Sequence, residues 1–360
     1  MSLSQPKRIL IIKLRHHGDV LLSTPVVDAL KTRFPDCEID MLVYAGTEQL
    51  IADNPQIAQI FTIDRNWKKL GVFKQLACEK NLLSKLKARD YDWAFNLSDQ
   101  WRAAIIAKLC ARCSVGLDCI KRDGFWWRFC HDFINHELDP SHHIVENQLN
   151  ILAPLIQPED VADAKVRLWV AQDARESMRQ KLREQGWNGE DYVLMHPGAR
   201  WHFKCWEDGK NAAIVQLLLN SGQNVVLTAS PDNVEQYMLQ EIIGRLNIPE
   251  GGKIWVLSGC LSLRELAAAI EGAKLFIGVD SAPMHIAAAL DKPQIALFGA
   301  SWVDKWRPYS EQAEVIYAGD YAELPHPDSI DTNDPTRLLK AIPLQDVWDK
   351  ISAKLEALEA

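Results

Sequence analysis

The chain has 360 residues, 48% of them hydrophobic and 24% charged, and its formal net charge at pH 7 is −8. This composition is ordinary for a soluble globular protein and leaves room for two domains. No apolar run approaches the roughly 18 residues of a membrane span, and the first short run, Ile9–Leu14, favours a strand over a signal peptide. We therefore expect a cytoplasmic protein.

Positive charge is concentrated in one segment. Between Arg65 and Arg89 there are eight lysines and arginines against one acid, Glu79, which leaves a local charge of +7. A nucleic-acid-binding domain normally carries a basic face over a whole domain, so this isolated segment argues against a nucleic-acid partner. The positive charge of its second half, Lys80–Arg89, is explained at least as well by a solvated helix face as by binding of an anionic partner.

In the first half of the chain, short apolar runs alternate with amphipathic segments. The predicted strands are Arg8–Leu14, Glu38–Tyr44, Ile57–Asp64 and Tyr91–Ser98. The predicted helices are Val20–Phe34, Trp67–Ala88 with a break near Gly71, and Trp101–Leu109. Such alternation predicts an α/β domain in which helices cover both faces of a parallel sheet. The pattern weakens between Lys121 and Pro158.

The second half repeats this alternation. Its predicted strands are Tyr192–His196, Asn224–Ala229, Trp255–Leu257, Leu275–Val279 and Gln294–Phe298. Its predicted helices are Trp206–Asn220, Asn233–Arg245, Ser262–Gly272, Ala282–Leu290 and Leu344–Leu358. We therefore expect two Rossmann-like domains that face a central cleft, with ligands at the carboxyl ends of the strands. The expected domains are 1–165 and 166–325, followed by a segment 326–360 whose final helix packs back on the first domain.

The turn after the first strand contains Gly18 and Asp19. Glycine allows a sharp turn there, and Asp19 then falls in the first helical turn. A carboxylate at that place could remove a proton from a substrate hydroxyl. It could equally cap the helix that follows, and the spacing alone does not separate these roles.

The turn after the strand Leu275–Val279 runs from Asp280 to His285. Ser281 is placed to cap the following helix, and Pro283 occupies its first turn, where a missing N–H does no harm. The free N–H groups and the helix dipole suit an anion such as a diphosphate, to which His285 could add a donor. An ordinary strand–helix turn with a capping serine is the alternative.

Two further strand-end loops carry polar residues. Lys204 and Arg200 follow the strand that ends at His196, and cations there suit a diphosphate leaving group. Glu235 follows the strand Asn224–Ala229 and could bind a ribose, or it could simply be a favourable partner of a helix dipole. Plain solvated loops are the alternative for the cations.

The cysteines form one cluster in sequence, made of Cys110, Cys113, Cys119 and Cys130. A zinc site would require a second Cys or His pair, which is missing, so buried reduced thiols are favoured. The sequence has no P-loop, no dinucleotide fingerprint after the first strand and no HExxH motif. We predict no metal site.

Two motifs carry a family resemblance. The run Lys13–Pro25 with its Gly-Asp turn, together with Phe276–Leu290, resembles the bacterial lipopolysaccharide heptosyltransferases of glycosyltransferase family 9. The resemblance extends from about Lys7 to Arg307. Within the family, Arg15–Asp19 and the tryptophan at 206 look most like the members that add the third, branching heptose of the inner core.

The resemblance implies a GT-B fold and inverting transfer from ADP-L-glycero-D-manno-heptose, without a required cofactor. By position, Asp19 matches the proposed general base, and Lys204 matches the lysine that stabilises the diphosphate. The implied donor-binding residues are His196, Gly198, Ala199, Glu235, Asp280, Ser281, Ala282, Pro283, Met284 and His285. Relatives often have hydroxylated residues where this chain has Gly198 and Ala199, so phosphate contacts there would come from backbone N–H groups.

The resemblance also implies a lipid-anchored, anionic acceptor at the cytoplasmic face of the inner membrane. The implied acceptor-binding residues are Lys13, Arg15, His16, Arg65, Lys68 and Lys69. Two alternatives remain open at this point. The chain could add the first or second heptose instead, or it could be a non-catalytic sugar-nucleotide-binding or scaffold subunit of core assembly.

Overall fold

The computed structural model describes residues 5–118, 124–136, 141–157, 161 and 163–359. The chain forms two compact units, Met1–Trp169 and Val170–Ala360. Each unit is built on its own six-stranded sheet, in which every pairing is parallel. The expected α/β class is therefore confirmed, and the units divide after Trp169 instead of after residue 165.

The first unit has the strand order β3-β2-β1-β4-β5-β6. Its strands are β1 Arg8–Lys13, β2 Glu38–Tyr44, β3 Gln59–Ile63, β4 Tyr91–Asn96, β5 Ala111–Asp118 and β6 Phe133–His136. Its α-helices are α1 His17–Leu21, α2 Thr24–Arg33, α3 Val72–Ala88, α4 Trp101–Cys110, α5 Phe125–Phe129 and α6 Ile144–Leu149. The apolar run of β1 lies in the middle of this sheet and is buried on both faces, against α2 on one side and α3 and α4 on the other.

The predicted helix Val20–Phe34 is two helices in the structure. Pro25 lies in the first turn of α2, and a proline ring collides with the carbonyl four residues earlier, so one continuous helix cannot form. The break is stabilised locally. The Thr24 hydroxyl donates to the Leu21 carbonyl at 2.8 Å, and the Ser23 hydroxyl donates to the Val20 carbonyl at 2.6 Å. Asp19 therefore belongs to a short helix of its own.

The predicted break near Gly71 is confirmed. A 3-10 helix covers Arg65–Lys69, and α3 starts at Val72. Gly71 has φ = 79°, a conformation in the left-handed range that side chains other than glycine rarely adopt. The glycine thus separates the basic turn after β3 from the long helix that follows.

The second unit has the strand order β9-β8-β7-β10-β11-β12, which repeats the connectivity of the first. Its strands are β7 Val193–His196, β8 Val225–Ala229, β9 Ile254–Ser258, β10 Leu275–Val279, β11 Gln294–Phe298 and β12 Ala313–Tyr317. Its α-helices are α7 Gln172–Arg183, α8 Asp208–Asn220, α9 Asn233–Ile243, α10 Leu263–Gly272, α11 Ala282–Ala289, α12 Val303–Trp306 and α13 Leu344–Glu359.

The last helix packs within the second unit. Val347, Ile351 and Leu355 recur every four residues on one stripe of α13 and are buried in the same core as α8. Leu339 and Ile342 are buried in that core just before the helix, so the chain enters α13 along the second unit. The buried stripe of this helix therefore belongs to the core of the second unit, and the expectation that the helix packs back on the first domain stays a prediction.

None of the described helices is long and apolar enough to cross a bilayer, and the longest of them, α3, has 17 residues.

Candidate active site

In the first unit, β1 and β4 are neighbours, and the strands that follow each of them lie on opposite sides. This is the topological switch point of the sheet, where ligands of open α/β sheets bind. The loops after the two strands are joined by hydrogen bonds. The Leu14 amide donates to the Ser98 hydroxyl at 2.7 Å, and the Gln100 side-chain amide donates to the Leu14 carbonyl at 2.8 Å.

A pocket of about 270 Å³ opens at this switch point. It is lined by Leu14, Arg15, His16, Tyr44, Arg65, Lys68, Gln100 and Arg102. Four of these side chains are permanently cationic at neutral pH, and no carboxylate lines the pocket, so the pocket suits an anionic ligand. Of the six predicted acceptor residues, four line this pocket, namely Arg15, His16, Arg65 and Lys68, whereas Lys13 and Lys69 do not.

Two of the pocket arginines are held in place by neighbours. The Arg65 guanidinium lies 4.2 Å from the centre of the Tyr44 ring and donates to the Arg15 carbonyl at 3.3 Å. Arg15 pairs with Asp99 at 2.9 Å, outside the lining. Such contacts fix the guanidinium planes before a ligand binds, which favours bidentate recognition of phosphate or carboxylate.

Lys13 is buried, and its ammonium donates to the Leu97 carbonyl at 3.2 Å. The structure therefore places Lys13 between the ends of β1 and β4, where it holds the two loops together. Lys69 is exposed at the end of the 3-10 helix. Conversely, sequence reasoning missed Tyr44, Gln100 and Arg102, although Tyr44 and Gln100 lie at carboxyl ends of strands.

Asp19 is the third residue of α1 and is half-buried. The residue at the capping position is His16, and it makes no side-chain capping bond. With the residues that the structure describes, the Asp19 carboxylate forms no hydrogen bond or ion pair. Of the two roles left open by the sequence, the helix cap is therefore ruled out, and the carboxylate is available to accept a proton.

His17, which adjoins Asp19 in α1, stays neutral at pH 7. Burial is the main cause that lowers the pKa of His17 below its ordinary value, and the positive charges of His16 and Arg65 lower it further. Protonation of His17 would therefore favour the unfolded chain once the pH falls below the ordinary histidine pKa.

In the second unit the switch point lies between β7 and β10. The loop after β7 ends in a 3-10 helix, His202–Lys204, and Asp280 directly follows β10. Lys204 and Asp280 meet there, with 2.5 Å between the ammonium nitrogen and Oδ2. Their side chains are only 15% and 6% exposed, so the two charges lie in a partly desolvated place where electrostatic interactions are strong.

Trp201 lies beside this pair and was missed by sequence reasoning. The Lys204 ammonium is 5.1 Å from the centre of the Trp201 ring, and the Arg200 guanidinium is 5.8 Å from it. The ring also stacks on Phe203, with centroids 6.0 Å apart. Trp201 therefore holds both cations of the loop by cation–π contacts, a role that spacing along the chain does not reveal.

Helix α11 begins where it was predicted, but Ser281 does not cap it with its side chain. The Ser281 hydroxyl instead donates to the Val279 carbonyl at 3.2 Å. The backbone of Ser281 is extended, with φ = −154°, as is usual for the residue that precedes a helix. Pro283 occupies the first turn as predicted, while the side chains of Met284 and His285 are buried.

Glu235 is buried in the turn between β8 and α9. It accepts from the Ser230 amide at 2.9 Å and lies 3.6 Å from His196 Nε2. Burial acts to raise the pKa of Glu235, but His196 and Ser230 outweigh it, so the pKa lies below its ordinary value. A methyl group at Gly198 would lie 2.7 Å from the Glu235 carboxylate, so a side chain at 198 fits only if Glu235 moves. The helix itself is capped by Asp232.

The described cysteines are all free thiols. Burial raises the pKa of Cys110 and of Cys113 to about 11, as expected for inert thiols in an apolar core. Cys119 lies outside the described residues. Across the described ranges, no group of three or more His, Cys, Asp or Glu side chains is arranged to hold a metal ion.

Comparison with known proteins agrees with this architecture. The family model "Glycosyltransferase family 9 (heptosyltransferase)" matches residues 80–336. Lipopolysaccharide heptosyltransferase 3 of Escherichia coli is 38% identical over 335 residues, which are 93% of this chain and 95% of that protein.

Two solved structures show the same fold. A glycosyl transferase of family 9 from Veillonella parvula superposes with a TM-score of 0.83 at 21% identity and 99% coverage of both chains. The E. coli heptosyltransferase WaaC with ADP superposes with a TM-score of 0.73 at 19% identity, over 96% of this chain and 99% of that one. The two Rossmann-like units are thus those of the GT-B architecture.

Proposed function

The chain belongs to glycosyltransferase family 9, and from this membership we propose that it moves L-glycero-D-manno-heptose from ADP-heptose to the heptose region of the lipopolysaccharide inner core. It is a heptosyltransferase of core biosynthesis. The 38% identity to heptosyltransferase 3 supports addition of the third, branching heptose. The observation that carries the donor assignment is the Lys204–Asp280 pair at the switch point of the second unit.

The second unit binds the donor in this proposal. ADP is the ligand named for the structurally similar WaaC, and a diphosphate needs a cation and N–H donors. Lys204 supplies the cation, and the N–H groups at the start of α11 supply the donors. The acid at 235 and the histidine at 196 form a preorganised polar pair for the heptose or the ribose hydroxyls.

The first unit binds the acceptor in this proposal. An inner-core acceptor carries phosphates and acidic sugars, and the pocket lined by Arg15, Arg65, Lys68 and Arg102 offers the opposite charge. Two of those arginines are already oriented, which reduces the conformational entropy lost on binding.

Transfer takes place by a single displacement with inversion. The acceptor oxygen forms a bond to the anomeric carbon of heptose, and the bond from that carbon to the diphosphate oxygen breaks. Asp19 takes the acceptor proton, and ADP leaves with the electron pair. Lys204 and the start of α11 stabilise the negative charge that develops on the departing diphosphate.

The direct test uses purified protein, ADP-heptose and delipidated core acceptors that carry none, one or two heptoses. We expect the acceptor with two heptoses, and neither of the others, to gain the mass of one heptose in mass spectrometry. Transfer to an acceptor with none or one would identify an enzyme of the first or second heptose. Binding of ADP in calorimetry without turnover on any acceptor would identify a non-catalytic subunit.

The transfer requires no metal ion in this proposal, because Lys204 provides the positive charge that Mg²⁺ supplies in other sugar-nucleotide enzymes. We expect the rate after EDTA treatment to stay within about twofold of the untreated rate. Buffer-exchanged enzyme without EDTA is the control. Loss of activity that Mg²⁺ restores would contradict metal independence.

The protein works at the cytoplasmic face of the inner membrane in this proposal, because its acceptor is anchored there by lipid. The strongly basic segment from Arg65 to Arg89 supports attraction to an anionic leaflet.

A further inference from the structure

Large exposed apolar side chains are concentrated in one part of the first unit. Of the seventeen such residues in the described chain, three lie at the start of α3, one just before it at Leu70, three on α4, three on α5 and one on β6, eleven in all. A solvent-exposed concentration of this kind marks an interaction surface. We call the exposed apolar residues of α3, α4 and α5 the apolar face.

The start of α3 protrudes from the unit. The strands that follow α3 and α4 begin level with each other, because Tyr91 pairs with Ala111. Helix α3 has 17 residues and α4 has 10, so α3 reaches about 10 Å further at its N-terminal end. An ion pair between Arg102 and Glu79 joins the two helices at the level where α4 begins. The first turns beyond that level have no neighbour on α4.

The protruding turns of α3 carry apolar side chains that face solvent. Val72, Phe73 and Leu76 are 70%, 89% and 60% exposed, and the first buried residue of this helix is Leu82. Leaving such side chains in water costs free energy that no contact within the described chain recovers. The protruding turns also follow Arg65 and Lys68, which line the pocket.

The apolar face also includes residues of α4 and α5. Trp101, Ile105 and Leu109 are spaced by four residues and form one exposed stripe along α4. The Trp101 ring packs edge-on against Trp127 of α5, with centroids 5.6 Å apart. Three exposed aromatic rings of α5 then form a cluster of their own, Phe125, Trp126 and Phe129.

Basic side chains accompany the protruding turns. Lys68, Lys69, Lys74 and Lys80 are exposed, and Glu79, the one acid of this stretch, is held by Arg102. A symmetric dimer would press this patch against its own copy and bring like charges together. An anionic phospholipid surface instead offers negative charge to the lysines and an apolar interior to the rings.

We propose that the apolar face docks on an anionic bilayer, with Phe73 and Leu76 inserted below the headgroups and the lysines beside them at the lipid phosphates. The inference deepens the proposed function, since that function requires a lipid-anchored acceptor. Docking through α3 brings the pocket with Arg65 and Lys68 near the bilayer surface, where the lipid end of the acceptor lies.

The test is co-sedimentation of purified protein with vesicles of phosphatidylglycerol and phosphatidylethanolamine. We expect the double variant Phe73→Ser, Leu76→Ser to partition about tenfold more weakly than the wild type. The control, Ile248→Ser with Leu358→Ser, removes two exposed apolar side chains of the second unit and keeps wild-type partitioning. The wild-type protein is also expected to bind more weakly to vesicles of phosphatidylcholine alone than to vesicles that contain phosphatidylglycerol.

Activity on a delipidated acceptor separates this proposal from the proposed function. The α3 double variant should transfer heptose to that acceptor at the wild-type rate and lose activity only on acceptor embedded in vesicles. Equal sedimentation of variant and wild type would overturn membrane docking even if transfer is confirmed. A wild-type dimer in light scattering that the variant makes monomeric, with no vesicle binding by either, would assign the face to a second copy instead.

Discussion

Replacing Asp19 with asparagine is expected to lower kcat for heptose transfer by about 100- to 10,000-fold, the usual contribution of a positioned general base. Asparagine keeps the size of the side chain but cannot accept the acceptor proton. Because Asp19 forms no hydrogen bond or ion pair with the described residues, the replacement removes no internal contact. Steady-state rates at saturating ADP-heptose and acceptor would measure the effect.

Two measurements distinguish loss of the base from loss of structure. The variant should bind ADP in calorimetry with wild-type affinity, because the proposed donor residues all lie in the second unit. Asp36→Asn, an exposed change of the same chemistry in the same unit, should retain full activity. An Asp19→Asn enzyme with near wild-type kcat would remove Asp19 from the mechanism.

Replacing Lys204 with alanine is expected to lower kcat/KM by about 100- to 1,000-fold, since one charged stabiliser of a leaving group is lost. The loss has a second cause. Asp280, only 6% exposed, would keep its negative charge without its partner at the place proposed for the diphosphate. The affinity for ADP in calorimetry should therefore fall together with the rate.

The affinity for adenosine distinguishes an action of Lys204 on the phosphates from a structural role in its loop. It lacks the diphosphate, so its affinity should be the same in wild type and Lys204→Ala. The control Lys340→Ala removes an exposed lysine of the same unit and should change neither affinity. Equal losses for ADP and adenosine would mean that Lys204 holds the loop in shape and does not act on the phosphates.

Central strands and the turns after them could be predicted from sequence because their signals are local. The buried apolar runs of β1, β2 and β10 mark their own bounds, and the Gly-Asp and Asp-Ser turns follow them directly. Helix α7 and strands β5, β6 and β12 were missed. Strand β5 carries Arg112, Ser114 and Gly116 in place of an apolar run, and β6 and β12 are edge strands with mixed composition.

What the sequence did not reveal at the site depends on contacts between distant segments. Lys204 and Asp280 were both proposed, but their pairing arises only because β7 and β10 are neighbours in the sheet. Gln100 and Tyr44 were missed for the same reason, since they meet the end of β1 through the strand order. The bond from the Ser281 hydroxyl to the Val279 carbonyl was also missed, because a general preference for serine at capping positions does not determine which group the hydroxyl contacts.

The close approach of Gly198 to Glu235 has a consequence for how this loop can change in evolution. Serine at 198 would collide with a carboxylate that His196 and Ser230 hold in place, so the acid at 235 must be seated differently or replaced by a smaller residue before serine fits. The two positions are therefore epistatic, and the order of substitutions matters. A relative with a hydroxylated residue at the first position is expected to lack this buried acid or to seat it differently, so the two residues should covary across the family.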